Sequence, residues 1–441
     1  MKKQFARYVS LNIIGMLGVS CYILVDTFFV SHVMGADGLA ALNFAIAFFS
    51  IMSAVGLMTG IGGGTDYAVT RESGEPPEQN KALAHSLAMG AMAAGVLVCI
   101  GLFLTEPLSR VLGASGRILP MTEVYLKTFL CFSPAFILNN IMLAFVRNDG
   151  EPRLSMIAMV VSSLSNILLD YIFMYPLALG MFGAALATCF SPVISLAILS
   201  RHYFSGRQNF RLVRCRISLK RMLKIAGLGF SSMVGELASA VTLWVFNLTI
   251  LGLTGNIGVA AFGIVANIEI VEMEMFFGIA QGLQPLASSS YGRNDRKSVR
   301  QVLIYALVTA EAMAVTLYII MFILADPVVS IFNSEGSAVL GIMASKGLRL
   351  FFTGFFFGGV NIVAAAFLSS VTEVKKSMTI ALMRSCIVLG PTVLIMSRLF
   401  GMTGVWLSFT VTEAIVAIVT LIFIKGVLPH NGTSVYNPEK A

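Results

Sequence analysis

Apolar residues run through this chain in long blocks that do not alternate, and short polar segments separate them. A helix needs about 20 apolar residues to cross a bilayer, whereas barrel strands alternate. The blocks predict twelve helical spans, at about 8–30, 38–69, 82–105, 119–145, 154–176, 182–204, 225–251, 257–289, 301–324, 340–369, 377–397 and 403–425. The second, eighth and tenth are longer than a bilayer requires and predict tilt or bending. Pro134, Pro192, Pro285 and Pro391 lie inside spans, where a missing N–H loosens the helix, and are hinge candidates.

Composition narrows this to an integral membrane protein. Of 441 residues 57% are apolar and 12% charged, against about 25% charged in soluble domains. Mean hydropathy is +0.86. The net charge of +8 is no sign of nucleic acid, because the Lys and Arg residues sit in short loops. Lys2, Lys3, Arg7, Arg71, Lys81, Arg147, Arg153, the basic stretch from Arg201 to Lys224, the group from Arg293 to Arg300, Lys375, Lys376, Lys425 and Lys440 fall on one side. Arg110, Arg117, Lys346, Arg349 and Arg398 fall on the other. The positive-inside rule then places both termini in the cytoplasm, and their lying on one side agrees with an even number of spans. The apolar stretch after Met1-Lys2-Lys3-Gln4 is too long for a signal peptide and reads as an uncleaved first span.

The two halves repeat. Gly35-Ala36-Asp37-Gly38-Leu39-Ala40-Ala41 aligns with Gly255-Asn256-Ile257-Gly258-Val259-Ala260-Ala261 at an offset of 220. Ser73-Gly74 aligns with Tyr291-Gly292 at 218, Ser155-Met156 with Ser377-Met378 and Asn139 with Asn361 at 222, and Gly183 with Gly404 at 221. Six spans per half make the repeats parallel, related by an axis along the membrane normal. The expected organisation is an N-terminal lobe over 1–204, a basic linker over 205–224 that is solvated or meets anionic lipid, a C-terminal lobe over 225–427 and a tail over 428–441.

Candidate chemistry is sparse outside the acids. The six cysteines show no paired spacing and read as small core residues. The four histidines lie near span ends without partners in sequence. No HExxH, GxSxG, Walker sequence or His/Cys cluster is present, so the chain reads as neither a membrane enzyme nor an ATP-driven pump, and no cofactor is expected. The abundant Phe and Met fit a promiscuous drug pocket without locating one.

Acids at membrane depth are the informative exceptions. Each costs roughly 2.5–3.5 kcal/mol on insertion scales. Asp26 lies in the first span, and Asn166 and Asp170 in the fifth, four apart and on one helix face. Two carboxylates brought together in a low dielectric cannot both stay bare, so such a pair takes up a proton or a metal ion. In the repeat, Asp26, Asn166, Asp170 and Thr188 correspond to Phe246, Val388, Thr392 and Phe409. None of the four is kept, which separates this set from the symmetric scaffold. The second half has its own acids: Glu236, Glu269, Glu272, Glu274, Glu311 and Glu413. Glu236 and Glu272 are expected to face a central cavity and attract cationic substrate, the competing reading being an internal pairing with Arg384 or with hydroxyls. Asn139 and Asn361 are further substrate-contact candidates, with a scaffold role as the other reading.

Val25-Asp26-Thr27-Phe28-Phe29-Val30 with Gly35 and Leu39-Ala40-Ala41 resembles the first motif of the multidrug and toxic compound extrusion (MATE) family. Arg71-Glu72-Ser73-Gly74-Glu75, Arg147-Asn148-Asp149-Gly150-Glu151-Pro152-Arg153 and Gly278-Ile279-Ala280-Gln281-Gly282-Leu283-Gln284-Pro285 resemble its loops after spans 2 and 4 and its span-8 motif. The similarity is to the prokaryotic, DinF-like branch of the multidrug/oligosaccharidyl-lipid/polysaccharide (MOP) flippase superfamily. It implies an all-α fold of two six-helix lobes in a V, and a secondary transporter rather than an enzyme, exporting amphipathic or cationic small molecules coupled to proton or sodium influx. It implies too a monomer in a bacterial or archaeal cytoplasmic membrane. An aspartate on span 1, an Asn-xxx-Asp on span 5 and a threonine on span 6 hold the coupling cation in that branch, and Asp26, Asn166, Asp170 and Thr188 match them one by one. The alternative is a flippase for lipid-linked saccharides. Such a protein needs cationic cavity residues for pyrophosphate, and Arg384 is the clearest cation well inside a span.

Overall fold

A computed structural model describes residues 1–73, 76–206, 208–333 and 337–427. Gly74 and Glu75 of the loop motif, Arg207 of the linker and the tail over 428–441 lie outside the described residues. Among the described residues every regular element is a helix and none is a strand, as bilayer spans must be when each backbone group has to be satisfied within its own segment.

Twelve long helices can be followed among the described residues. In the first half these are α1 (Lys2–Gly35), α2 (Asp37–Glu72), α3 (Pro76–Phe103), α4 (Ile118–Cys131 continued by Ser133–Asn148), α5 (Pro152–Met174) and α6 (Gly180–Phe204). The second half gives α7 (219–254), α8 (256–292), α9 (Arg296–Phe332), α10 (Ala338–Ser370), α11 (374–400) and α12 (402–427). A short helix, Thr105–Val111, lies between α3 and α4. Sequence patterning placed each of the twelve spans, with bounds off by up to eight residues, most at the end of α9. It separated the pairs α1/α2, α7/α8 and α11/α12 by gaps of several residues, whereas helix runs almost up to a glycine break, at Gly35, Gly255 and Gly401.

The repeat is built into the backbone. Gly35 (φ 66°, ψ −155°) and Gly255 (φ 65°, ψ −153°) carry the same break, in a region open to glycine alone at no steric cost. Gly180 (φ 55°) and Gly401 (φ 56°) form a second matched pair, at the starts of α6 and α12. Ser155 Oγ donates to the Leu143 carbonyl at 3.2 Å, and Ser377 Oγ to the Ala365 carbonyl at 2.7 Å, the same tie in each half. Both α4 and α10 are interrupted midway: α4 bends by 48° at Phe132, just before Pro134, and α10 passes through a 3₁₀ turn at Phe352–Gly354. On α11 a π-turn over Met383–Ile387 precedes Pro391, whose missing N–H frees the Ile387 carbonyl.

The chain divides into two compact units, Ser10–Glu236, and Met1–Val9 together with the chain from Leu237 onward. The division falls inside α7 because the start of that helix packs on α2 of the first unit. A Cβ on Gly62 would collide with the Ile225 carbonyl, and one on Gly229 with the Met58 carbonyl, so glycine is what lets the two backbones touch. Arg221 and Lys224 each pair with Asp66 at 2.8 Å, and Arg221 pairs with Glu78 at 2.7 Å.

The linker is held down, which corrects the expectation of a merely solvated segment, and two histidines have partners that sequence spacing did not show. Asp149 accepts from Tyr67 Oη (2.6 Å), the Asn209 amide N–H (2.9 Å) and Asn209 Nδ2 (3.0 Å), and meets His202 Nε2 at 2.8 Å. Phe210 is fully buried against Tyr67, Phe145 and His202. Further along, the Ser218 N–H donates to His85 Nε2 at 3.0 Å and the Arg211 N–H to Asn80 Oδ1 at 2.8 Å. These contacts are nonlocal, so no spacing rule reveals them.

Asp149 gives this latch a pH dependence. Burial alone pushes its carboxyl up, but the hydrogen bonds from His202, Tyr67 and Asn209 together outweigh burial and hold it below the usual carboxylate range. A depressed carboxyl contributes stability above its unfolded pKa, about 3.9, and loses it as pH falls through the folded value. Asp149→Asn is expected to lower stability at pH 7 by about 1–3 kcal/mol by mismatching buried donors. It should also flatten the acid limb of melting temperature against pH. An unchanged acid limb would show that Asp149 is not the titrating group.

Candidate functional site

The first unit brings Asp26, Asn166, Asp170 and Thr188 together. Small residues set the register between α1 and α5, which run side by side. A Cβ on Gly15 would lie 2.9 Å from Met159 Sδ, and one on Gly18 would lie 3.5 Å from Ser163 Oγ. Two turns further along both helices, the same register sets Asp26 beside Asp170, and the two carboxylates interact electrostatically. All four side chains are buried.

Asn166 is the organiser. With its amide nitrogen toward Asp170 it donates to Oδ2 at 3.1 Å, and its oxygen accepts from the Thr188 backbone N–H at 3.2 Å. That orientation is the one that satisfies both groups. Thr188 Oγ1 donates to the Ala184 carbonyl at 3.1 Å, leaving its lone pairs available. Pro192, one turn on, leaves the Thr188 carbonyl without its usual i+4 donor. One oxygen of each acid, Asp26 Oδ1 and Asp170 Oδ1, is buried without a hydrogen-bond partner among the described residues. Buried polar atoms are rarely left so. The set thus gathers two carboxylates and a hydroxyl, hard oxygen ligands of the kind a proton or sodium takes, while the Asn166 oxygen is already engaged with the Thr188 N–H.

A fifth member was missed in sequence. Tyr125 on α4 is buried, its hydroxyl within hydrogen-bonding reach of Thr188 and within electrostatic range of Asp26 and Asp170. Its only sequence signal is a polar-ended aromatic inside an apolar span, which packing explains equally well; Tyr125 does pack on Phe129 at 5.7 Å.

The second unit fills the corresponding place with aromatic rings. Phe246, the counterpart of Asp26, stacks on Phe262 at 4.9 Å, and Phe409, the counterpart of Thr188, stacks on Phe351 at 4.5 Å. Phe246 also meets Phe351 edge-on at 5.9 Å. An apolar cluster at this position needs no ion, so the asymmetry between the halves is one of chemistry rather than of fold.

The other candidates separate. Glu236 is partly exposed and bonds to Ser53 within the first unit. Asn139 has a buried Oδ1 without a partner among the described residues. Asn361, its repeat mate, does not present to a substrate: Nδ2 donates to Glu413 Oε2 at 2.7 Å and Oδ1 accepts from Thr420 at 2.7 Å. Arg384 is paired with Glu413, with Nη2 at 2.8 Å and Nε at 2.9 Å from Oε1, rather than with Glu236 or Glu272. Glu272 was expected to face a cavity. It is 2% exposed, turned inward on the face that one turn later carries Phe276, stacked on Phe355.

Comparison with known proteins agrees with this architecture. The MatE family profile matches residues 12–172 and 232–394, one segment in each half. The chain belongs to the MATE family, and is therefore a multi-pass membrane transporter. Among curated relatives, the multidrug export protein MepA of Staphylococcus saprophyticus is 26% identical over 415 residues, covering 93% of this chain and 90% of that protein. MepA of Staphylococcus aureus is 25% identical over the same shares. Among solved structures, an outward-facing multidrug resistance MATE transporter of the MOP superfamily superimposes with a TM-score of 0.91 at 23% identity, over 97% of this chain and 96% of that one. A MOP superfamily transporter from Pyrococcus furiosus, described as having a binding pocket of reversed polarity, gives 0.91 at 22% identity over the same shares. These two likenesses concern the fold.

Proposed function

We propose that this chain exports organic cations or other amphipathic drugs in exchange for protons or sodium, with Asp26, Asn166, Asp170 and Thr188 as the coupling-cation site. The observation that carries the reading is the pair of buried, unpartnered carboxylate oxygens on Asp26 and Asp170. Protonation or sodium binding removes the repulsion between the two acids and supplies the missing partner. Release restores both. The cation thereby biases α1, α5 and α6 between two packings, which is what alternating access requires of a driving ion. Tyr125 positions Thr188. Pro192 and the α4 bend supply places where helices can flex.

Multidrug export is what the names of the MepA relatives support for the substrate class. Glu236, partly exposed, is the residue we assign to electrostatic attraction of cationic substrates, with Asn139 as a polar contact. Arg384, committed to Glu413, is not placed to bind pyrophosphate, which disfavours the saccharide-lipid flippase reading. We place the ends of α2, α4 and α6 that hold or adjoin Asp66, Asp149 and His202 on the cytoplasmic side, with both termini, in a bacterial or archaeal cytoplasmic membrane.

The test is transport of an organic cation into proteoliposomes with proton and sodium gradients imposed separately. Accumulation driven by one gradient and abolished by its ionophore is expected. Accumulation under neither gradient would overturn the reading.

A further inference from the structure

Between residues 201 and 224 the sequence holds eight Lys or Arg and no Asp or Glu. Two of these cations are spent within the first unit, Arg221 on Asp66 and Glu78, and Lys224 on Asp66. Five others, Arg201, Arg211, Arg214, Arg216 and Lys220, are exposed and have no ion pair among the described residues. The acids of this face are already taken. Asp66 and Glu78 hold Arg221, Lys224 and Lys81, and Asp149 holds His202, Tyr67 and Asn209. The countercharge for the five must come from outside the fold.

The same stretch exposes large apolar side chains: Phe204, Leu212, Ile217, Leu219 and Leu223. Leu219 and Leu223 are 69% and 64% exposed, and their four-residue spacing puts them on one face of α7. The backbone that presents these residues is fixed at both ends. Gln79 Nε2 donates to the Asn209 carbonyl at 3.2 Å, the Arg211 N–H is held by Asn80 and the Ser218 N–H by His85. Between these ties exposure alternates. Leu212, Arg214 and Arg216 are exposed, whereas Val213 and Cys215 are half-buried, with Cys215 Sγ 4.0 Å from His85 Nδ1.

A face that is both cationic and apolar fits few partners. Inorganic phosphate or a nucleic acid would neutralise the charges and leave the leucines in water. A phospholipid answers both, with an anionic headgroup for the cations and acyl chains for the apolar residues. The location agrees. The segment leaves α6 at Phe204 and enters α7 at Leu219, and both helices are long and apolar enough to cross a bilayer. Its ends are therefore held at headgroup level, where basic residues next to spans attract anionic lipid.

We propose that the outward face of residues 211–223 is a binding surface for anionic phospholipid, with Arg214, Arg216 and Lys220 on the headgroup phosphate and Leu219 and Leu223 along the acyl chains. The bound lipid supplies the countercharge that the fold withholds, and ties the start of α7 to the leaflet. This surface is separate from the Asp26–Asp170 site. It rests on the chain's spanning a membrane and not on what it exports.

Native mass spectrometry of the full-length protein in detergent, titrated with phosphatidylglycerol or phosphatidylcholine, tests the surface. Each cation near a headgroup is worth about fivefold in affinity. Wild type should bind phosphatidylglycerol at least tenfold more tightly than phosphatidylcholine. The triple variant Arg214→Gln, Arg216→Gln, Lys220→Gln should lose that preference, and it should melt as wild type because it breaks no ion pair. The variant Arg214→Lys, Arg216→Lys should keep the preference. Removing cations from the opposite end of the spans, Arg117→Gln with Arg398→Gln, should leave it unchanged. Glycerol phosphate, the headgroup without chains, should not displace the lipid, and Leu219→Ser with Leu223→Ser should weaken binding although every charge remains. Undiminished preference in the triple variant would overturn the proposal. An equal loss in the Arg117, Arg398 variant would also overturn it, by showing that net charge alone is responsible. Displacement by glycerol phosphate would reduce the surface to an anion site and contradict the assignment.

Discussion

Asp170→Asn is expected to abolish gradient-driven export while leaving the protein folded. The substitution keeps the size and the planar shape of the side chain and removes its ability to ionise. Asn166 can still serve it, because an amide oxygen accepts from Nδ2 as Asp170 Oδ2 does at 3.1 Å. Asp26 then has no acid to repel, so binding a cation relieves nothing and the two packings are no longer biased. Coupling energies between sites typically span about 1–3 kcal/mol, or roughly 5–150-fold, and the gradient-dependent part of the rate should fall by at least that range. Asp26→Asn should behave alike. The double variant should be no worse than either single one, since each alone removes the pair. Full gradient-driven export in both single variants would place the cation elsewhere.

Arg384→Ala is the substitution expected to cost most in stability. The Glu413 carboxylate is buried with the guanidinium 2.8 Å away, and removing one partner of such a pair strands a charge inside the lobe. Losses of about 3–5 kcal/mol are usual for that change. Asn361 keeps one bond to Glu413 and softens the effect without supplying charge. Arg384→Met combined with Glu413→Gln should recover most of the stability, because it removes the pair as a unit. Thermal unfolding of the single and double variants checks this. A double variant no more stable than Arg384→Ala would show that packing by the long Arg side chain, not charge, is what matters.

The spans were legible because bilayer burial demands continuous apolar blocks, and the repeat was legible because Gly35 and Gly255 need the same left-handed backbone. Asn166 and Asp170 announced a shared face through their four-residue spacing. What stayed hidden depends on contacts between distant segments. The Arg384–Glu413 pair joins residues 29 apart on different helices, and Asp149 meets His202 across 53 residues. Tyr125 looked like packing, and it does pack. The inward turn of Glu272 followed from no periodic pattern, since Glu269, three residues before, is only partly buried.

The central claim is that the Asp26–Asp170 pair holds the ion that drives transport, and ion movement measures it most directly. Proteoliposomes loaded with a pH or sodium reporter should register an ion flux when substrate is added on one side, with no imposed gradient. The account predicts a substrate-dependent flux in the wild type that is lost in Asp170→Asn, while the variant still binds substrate. A flux of undiminished size in Asp170→Asn would contradict it.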